Sequence, residues 1–287
     1  MFLRDLLVKM SHVLPDKPYL YLKYWQRMHK WPNLKNPQTF SEKLNWLKLY
    51  DRNPLYTTLV DKYAVKQYIA NKIGEQYVIP TLGVWNSFDE IDFGKLPEQF
   101  VLKTTHDSGG IVIVKDKKML DKQAAKNKLT KSLRNNYYYH GREWPYKNVP
   151  HRIIAEQYLE NASTQDLKDY KFFCFNGYVD NVMVCIDRAQ GDTKFYFFNR
   201  DWKLLRLNER GKIAPADFTL EQPVSIGKMF ELAETLSQNI PFSRVDLYSC
   251  NNQIYFGEMT FYPQSGFDKK LLPETDSYFG KLIHLPQ

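Results

Sequence analysis

Apolar and polar positions change rhythm along the chain. The first third follows a helical period. Thr39-Phe40-Ser41-Glu42 has the form of a capping box, in which Thr39 accepts from the third helical amide and Glu42 reaches back. Leu44, Trp46, Leu47 and Leu49 supply the apolar face behind it, and Asn53-Pro54 predicts its end. A second helix is expected from about Asp61 to Lys72, with Gly74 as its stop signal.

The texture changes after Pro80. Phe100-Val101-Leu102-Lys103 is a short apolar run, the polar turn Thr104-Thr105-His106-Asp107-Ser108-Gly109-Gly110 follows, and Ile111-Val112-Ile113-Val114 is a second run. Two strands joined by a glycine-containing loop is the simplest reading. Residues from about Asp121 to Asn135 read as helix and Arg152 to Leu159 as strand. Tyr170 to Phe175, Tyr178 to Ile186 and Lys194 to Phe198 are β-rich runs separated by turn residues such as Asn176-Gly177. A helix near Ser225 to Ser237 precedes two last strands, Ser243 to Tyr248 and Gln253 to Met259. Helices, then a mixed region, then an antiparallel-looking sheet predict an α+β fold rather than a doubly wound parallel sheet.

Composition narrows the function classes. The 287 residues suit two domains, or one large domain with lobes. The net charge of +8 and the 20 Tyr, 18 Phe and 6 Trp suggest a polyanionic partner and flat faces for stacking. A large core under a solvated lysine surface explains the same numbers. The three cysteines, Cys174, Cys185 and Cys250, form no disulfide framework and suit a reducing, cytoplasmic compartment. No apolar run approaches the roughly 20 residues that span a bilayer. The first ten residues are too broken by charge for a secretory signal, and could form a short amphipathic helix. Docking on its own protein is the favoured use of that face, with peripheral membrane association as the alternative.

The chain lacks GxxxxGK[ST], GxGxxG, GxSxG, HExxH and an Asp-x-Asp triplet. Three candidate sites remain. Lys103 leads into Ser108-Gly109-Gly110, where charge and backbone amides can hold phosphate oxygens; a solvated lysine beside a hairpin turn is the plainer account. Ile153-Ile154-Ala155-Glu156-Gln157-Tyr158-Leu159-Glu160 offers a strand and linker to an adenine edge, or is a core strand. Ser243-Arg244-Val245-Asp246 and Glu258-Met259-Thr260 place Arg244 and Asp246 on one face, with Glu258 on the partner strand. Neighbouring carboxylates repel unless a cation lies between them, and Mg²⁺ takes such oxygens together with phosphate. A cross-strand salt-bridge cluster is the structural alternative.

In this order the motifs resemble the ATP-grasp superfamily. Asn36-Pro37-Gln38-Thr39-Phe40-Ser41-Glu42-Lys43-Leu44, Asp51-Arg52-Asn53-Pro54-Leu55-Tyr56, Asp61-Lys62-Tyr63 and Asp169-Tyr170-Lys171-Phe172-Phe173-Cys174-Phe175-Asn176-Gly177 look like the TupA-like ATP-grasp family of surface-polysaccharide clusters, over about residues 20 to 270. The resemblance implies two α+β lobes gripping ATP: a helical N-terminal region at 1–80, a small lobe at 81–157 and a large lobe at 158–287. It implies that Lys62 and Lys103 contact ATP phosphates, that Ser108, Gly109 and Gly110 cover them, and that Glu156, Gln157, Leu159 and Glu160 surround the adenosine. Asp246 and Glu258 would hold Mg²⁺, with Thr260 where many members carry asparagine. Arg244 would stabilise the acyl phosphate and oxyanion, and Lys171 and Arg188 the γ-phosphate or an anionic acceptor.

The implied activity is ATP-dependent carboxylate–amine ligation through an acyl phosphate. It would join an amino acid or amine to a uronic-acid-type carboxyl of a capsule, O-antigen or other bacterial surface polysaccharide. Tyr137-Tyr138-Tyr139-His140-Gly141-Arg142-Glu143-Trp144-Pro145-Tyr146-Lys147 could stack sugars and pair with carboxylates, or be a packed aromatic turn. A glycosyltransferase acting on the same polymers and a non-catalytic polyanion-binding protein are the alternatives. No nucleic-acid-binding motif is present, so no nucleic acid partner is expected.

Overall fold

The computed structural model describes residues 10–160, 168–187 and 192–286. The helical N-terminal region contains α1 (Asp16–Met28), α2 (Phe40–Tyr50), α3 (Leu55–Val60) and α4 (Ala64–Ile73). The capping box forms as expected: Thr39 Oγ1 accepts the Glu42 N–H at 3.3 Å, and Glu42 accepts the Thr39 N–H at 3.2 Å. The helix expected from Asp61 starts later. The Asp61 carboxylate accepts the Tyr63 and Ala64 N–H groups and caps α4, so the chain breaks between α3 and α4. Gly74, at φ 123°, closes α4 in a conformation few other residues adopt. The segment Met1–Lys9 lies outside the described residues, as does most of the amphipathic helix expected there.

Two antiparallel sheets follow. The smaller has the order β1-β4-β2-β3, from β1 (Thr81–Trp85), β2 (Phe100–Thr104), β3 (Ile111–Val114) and β4 (Ile153–Gln157). It is backed by α5 (Lys122–Leu133), whose Ala125 and Leu129 meet Phe100 and Leu102 in a separate small core. The larger has the order β10-β9-β5-β6-β7-β8, from β5 (Lys168–Phe175), β6 (Tyr178–Ile186), β7 (Lys194–Phe198), β8 (Leu204–Leu205), β9 (Phe242–Cys250) and β10 (Gln253–Thr260).

The hairpins β5–β6 and β9–β10 turn at Asn176-Gly177 and Asn251-Asn252. All four residues have positive φ, the conformation that matches the twist of paired strands. One face of the larger sheet packs on α6 (Ile226–Ser237), where Met229, Phe230, Ala233 and Leu236 are buried against Phe172 and Val245. At one end, α7 (Pro273–Leu282) packs on α2, where Asp276 accepts the Ser41 N–H at 2.8 Å. The three cysteines are buried and none forms a disulfide. Among the described residues no helix is long and apolar enough to cross a membrane.

Candidate active site

The smaller sheet presents lysines around one buried acid. Glu156 on β4 accepts Lys103 Nζ from β2 at 2.5 Å and Lys66 Nζ from α4 at 2.6 Å. Burial alone would raise its carboxyl, but the two ammonium groups hold it below the usual range. Glu156 therefore organises lysines, and both of its carboxylate oxygens are engaged within the fold. Lys66 was not anticipated. Its spacing from Lys62, one helical turn, was the available signal.

Lys62 stands next to this cluster. Its N–H bonds to Thr105 O at 3.1 Å, and its Nζ donates to Asp107 O in the glycine turn. Burial lowers its ammonium, opposed by Glu258 and Asp107. Asp107 staples the turn: it accepts Thr104 Oγ1 at 2.5 Å, the Gly110 N–H at 3.1 Å, and Ser132 Oγ. Ser108 and Gly109 form the exposed crown above that staple. Gly110 is buried below it, where a Cβ would strike Thr104 and Ser132.

The linker after β4 is partly committed elsewhere. The Gln157 N–H donates to Pro80 O at 3.0 Å, so that amide is used within the fold. Leu159 packs with Ile79 and Cys250. The Glu160 carbonyl accepts from Cys250 Sγ at 3.3 Å, and its carboxylate lies 3.7 Å from Lys115.

The larger sheet presents the opposite balance. Cross-strand register pairs Asp246 with Glu258, Arg244 with Thr260, and Lys171 with Asp246. A bulge at Gly257 rotates Glu258 onto the face of Asp246. Arg244 grips Asp246 through Nε and Nη2 at 2.6 and 2.7 Å, and its Nη2 also reaches Glu258 Oε1 at 3.0 Å and Thr260 Oγ1 at 3.1 Å. Lys171 Nζ donates to Asp246 and lies 2.6 Å from Asp169. Burial alone would lower the Lys171 ammonium, but Asp246 and Asp169 hold it above its ordinary value. Asp169 was missed, although it shares a strand face with Lys171 at a spacing of two.

These contacts divide the expected metal pair. Asp246 is only 1% exposed, with both oxygens taken by cations. Glu258 opens into the cleft with its side chain 42% exposed, and its Oε2 receives no hydrogen bond from the described residues. Its setting would raise the carboxyl, but Arg244, Lys171, Lys62 and Lys103 hold it at about 2, fully ionised. Among the described residues no three His, Cys, Asp or Glu side chains are grouped to hold a metal. The one free carboxylate oxygen of Glu258 would suit Mg²⁺ only as a single protein ligand, as where phosphate and water oxygens complete the ion's shell. Lys171 is buried beneath this surface and does not line the cleft, and Arg188 lies outside the described residues.

A cleft of about 630 Å³ begins at Asp107, Ser108, Arg244, Glu258 and Thr260 and runs toward α1. Tyr137, His140, Glu143 and Tyr146 line its wall, so part of the aromatic stretch does face a ligand space. Arg142 does not. It is 1% exposed, stacks 4.1 Å over Tyr19, pairs with Asp16 at 3.2 Å and donates to the Ser11 and Leu14 carbonyls. It ties α1 to the rest of the chain instead of meeting a carboxylate substrate. Lys23, Arg27, His29 and Lys269 make the far rim basic.

No curated protein matches the sequence. Among solved structures, D-alanine–D-alanine ligase from Bacillus anthracis complexed with ATP is 16% identical, with a TM-score of 0.43, covering 78% of this chain and 60% of its own. The corresponding ligase from Helicobacter pylori is 14% identical, with a TM-score of 0.45 and coverages of 85% and 65%. N5-carboxyaminoimidazole synthetase from Staphylococcus aureus complexed with ADP is 16% identical, with a TM-score of 0.41 and coverages of 80% and 53%. The chain thus spans less than two thirds of the length of each. The family profile described as TupA-like ATPgrasp matches residues 42–284, a span that includes both sheets, Lys62 and Glu258. The chain belongs to the TupA-like ATP-grasp family and carries its α+β fold.

Proposed function

We propose that the protein is an ATP-dependent carboxylate–amine ligase whose two lobes, at 81–157 and 158–287, close on ATP. The observation that carries this reading is the opposed charge of the two walls: lysines in surplus where α4 meets the smaller sheet, carboxylates on the larger sheet. A triphosphate suits the first wall and a divalent cation the second. Lys62 and Lys103 would neutralise phosphate oxygens, and the Ser108-Gly109 crown would cover them. Glu258, with Thr260 and Asp246 beside it, would hold Mg²⁺, which would offset charge on the transferring phosphoryl group.

A carboxylate oxygen of the substrate attacks the γ-phosphorus and ADP departs, leaving an acyl phosphate. An amine then attacks the carbonyl carbon and inorganic phosphate departs. Arg244, fixed by Asp246, faces the charge that develops on the carbonyl oxygen. No covalent nucleophile from the protein is needed. The basic rim of Arg27, His29 and Lys269 and the Tyr137 and Tyr146 faces support a uronic-acid-type carboxyl on a surface polysaccharide or its precursor. We place the reaction in the cytoplasm, where ATP is supplied.

Thermal melting tests the nucleotide. A ligand bound only to the native state raises the melting temperature. Mg·ATP should do so and a UDP-sugar should not; the reverse result would favour a glycosyltransferase. Glu258→Gln should retain the fold and lose ADP formation with D-glucuronate and an amine by about 100-fold or more. Full activity in that variant would remove the metal assignment.

A further inference from the structure

The wall of the cleft opposite Glu258 contains a second carboxylate that the phosphate chemistry does not use. Glu143 is 3% exposed and lines the cleft with Tyr137 and Tyr146. Its Oε1 accepts Ser265 Oγ at 2.6 Å, and its Oε2 receives no hydrogen bond from the described residues.

Two features show that this placement is built. Ser265 lies in a turn where Gln264, Ser265 and Gly266 all have positive φ, 51°, 53° and 66°. Left-handed backbone at two successive non-glycine residues is strained, and such strain concentrates at functional sites. The strain is held by α2. Lys48, 1% exposed, donates to Ser265 O at 2.6 Å, Gly141 O at 2.8 Å and Asn45 Oδ1 at 3.2 Å, and Asn45 donates to Gly266 O at 3.0 Å. Lys48 thus donates to one carbonyl on each of the two segments that flank the carboxylate and to Asn45 on its own helix, and makes no hydrogen bond to Glu143 itself. The Tyr137 hydroxyl lies beside the Ser265 and Ser108 side chains, so the turn, the glycine crown and Glu143 are linked.

Resting on the ligase reading, we infer that Glu143, oriented by Ser265, is the site that receives the primary amine substrate and takes its proton. A primary amine arrives as an ammonium, which a carboxylate lining a cleft beside the Tyr137 and Tyr146 rings suits. One N–H proton passes to the free Glu143 oxygen. The freed lone pair forms the C–N bond at the acyl-phosphate carbonyl, and the C–O bond to phosphate breaks with its electron pair. The second proton leaves with inorganic phosphate. Burial pushes the Glu143 carboxyl up and the Lys48 ammonium down, with Lys48 and Ser265 opposing the rise at Glu143, Glu258 adding to it and Arg244 opposing it. A base is most effective near the working pH.

NMR of isotope-labelled glutamate carboxyls in the whole chain tests the site without ATP or the acid substrate. One resonance, absent from Glu143→Gln, should titrate near neutrality and shift when ethylammonium is added. No shift would overturn the proposal. Ser265→Ala removes a hydrogen bond to the ionised form, so the midpoint should move upward; an unmoved midpoint would also overturn it.

Turnover with D-glucuronate and Mg·ATP tests the proton transfer. Glu143→Gln should lose amide formation with glycine by about 100-fold while keeping hydroxamate formation with hydroxylamine, which is largely unprotonated at neutral pH, within about threefold. Equal losses with both nucleophiles would show a merely structural role and overturn the proposal. Absence of hydroxamate from the wild-type protein would instead count against the ligase reading with this acid, and the ethylammonium titration would still decide the amine site.

Discussion

The two walls of the cleft solve the same electrostatic problem in opposite ways. Where α4 meets the smaller sheet, Lys62, Lys66 and Lys103 surround Glu156 and Asp107, leaving a positive surplus. On the larger sheet, Asp169, Asp246 and Glu258 surround Lys171 and Arg244, leaving a negative one. In each, one buried carboxylate is occupied by two cations: Glu156 by lysines from different elements, Asp246 by an arginine on its own strand and a lysine on the next. The difference lies in what remains for a ligand. The first wall keeps ammonium groups, the second a single carboxylate oxygen on Glu258. A polyanion and a divalent cation therefore meet complementary surfaces without rearrangement of either buried acid.

The larger effect of a substitution should come from the drier wall. Lys171→Met strips Asp246 of one partner deep under the sheet, where removing half of a buried pair costs about 3–5 kcal/mol. Lys103→Met leaves Glu156 with Lys66, and the Lys103 side chain is already 18% exposed, so a cost of about 1 kcal/mol is expected. Urea denaturation of both variants measures the contrast. Equal costs would mean that the two walls are not differently buried in solution.

Acid should distinguish the walls next. Glu156 has a folded pKa below its unfolded value of about 4.3. Its contribution to stability is therefore complete above that pH and lost as pH falls through the folded value. Glu156→Gln should cost about 1.5–3 kcal/mol at neutral pH, for hydrogen bonds to charged partners, and flatten the fall in stability below about pH 4. Denaturant midpoints across that range report it. An unchanged acid limb would show that Glu156 is not held ionised by Lys66 and Lys103.

Local features of both walls were legible in the sequence. The capping box at Thr39 and Glu42 closed as read. The hairpin that sets Asp246 opposite Glu258 follows from strand period and turn residues. What was not legible is which partner each charge takes. Lys66 and Glu156 are far apart in sequence and meet only because α4 docks beside the smaller sheet. Asp246 looks like a metal ligand in the linear pattern, yet the sheet order puts β5 next to β9 and hands it Lys171. Glu143 stood inside the aromatic stretch read as a sugar contact, but nothing marked out its own carboxylate, because its place depends on a strained turn after β10 and a lysine on α2. Propensity and period fix elements, whereas these pairings need the tertiary register.

The smallest expected effect separates fixed from free backbone within the positive wall. Gly110 has Thr104 and Ser132, the side chains that hold Asp107, where a Cβ would go, so Gly110→Ala should cost about 1–3 kcal/mol through overpacking. Its neighbour has no heavy atom within 4 Å of the same position, and Gly109→Ala should stay within about 0.5 kcal/mol of wild type. The turn is then a rigid base carrying an open crown, which is what a cover for phosphates requires. Thermal melting of the two alanine variants decides it. If Gly109→Ala were as costly as Gly110→Ala, the crown would already be packed, and a loop free to close over a ligand would be the part of the positive wall to abandon.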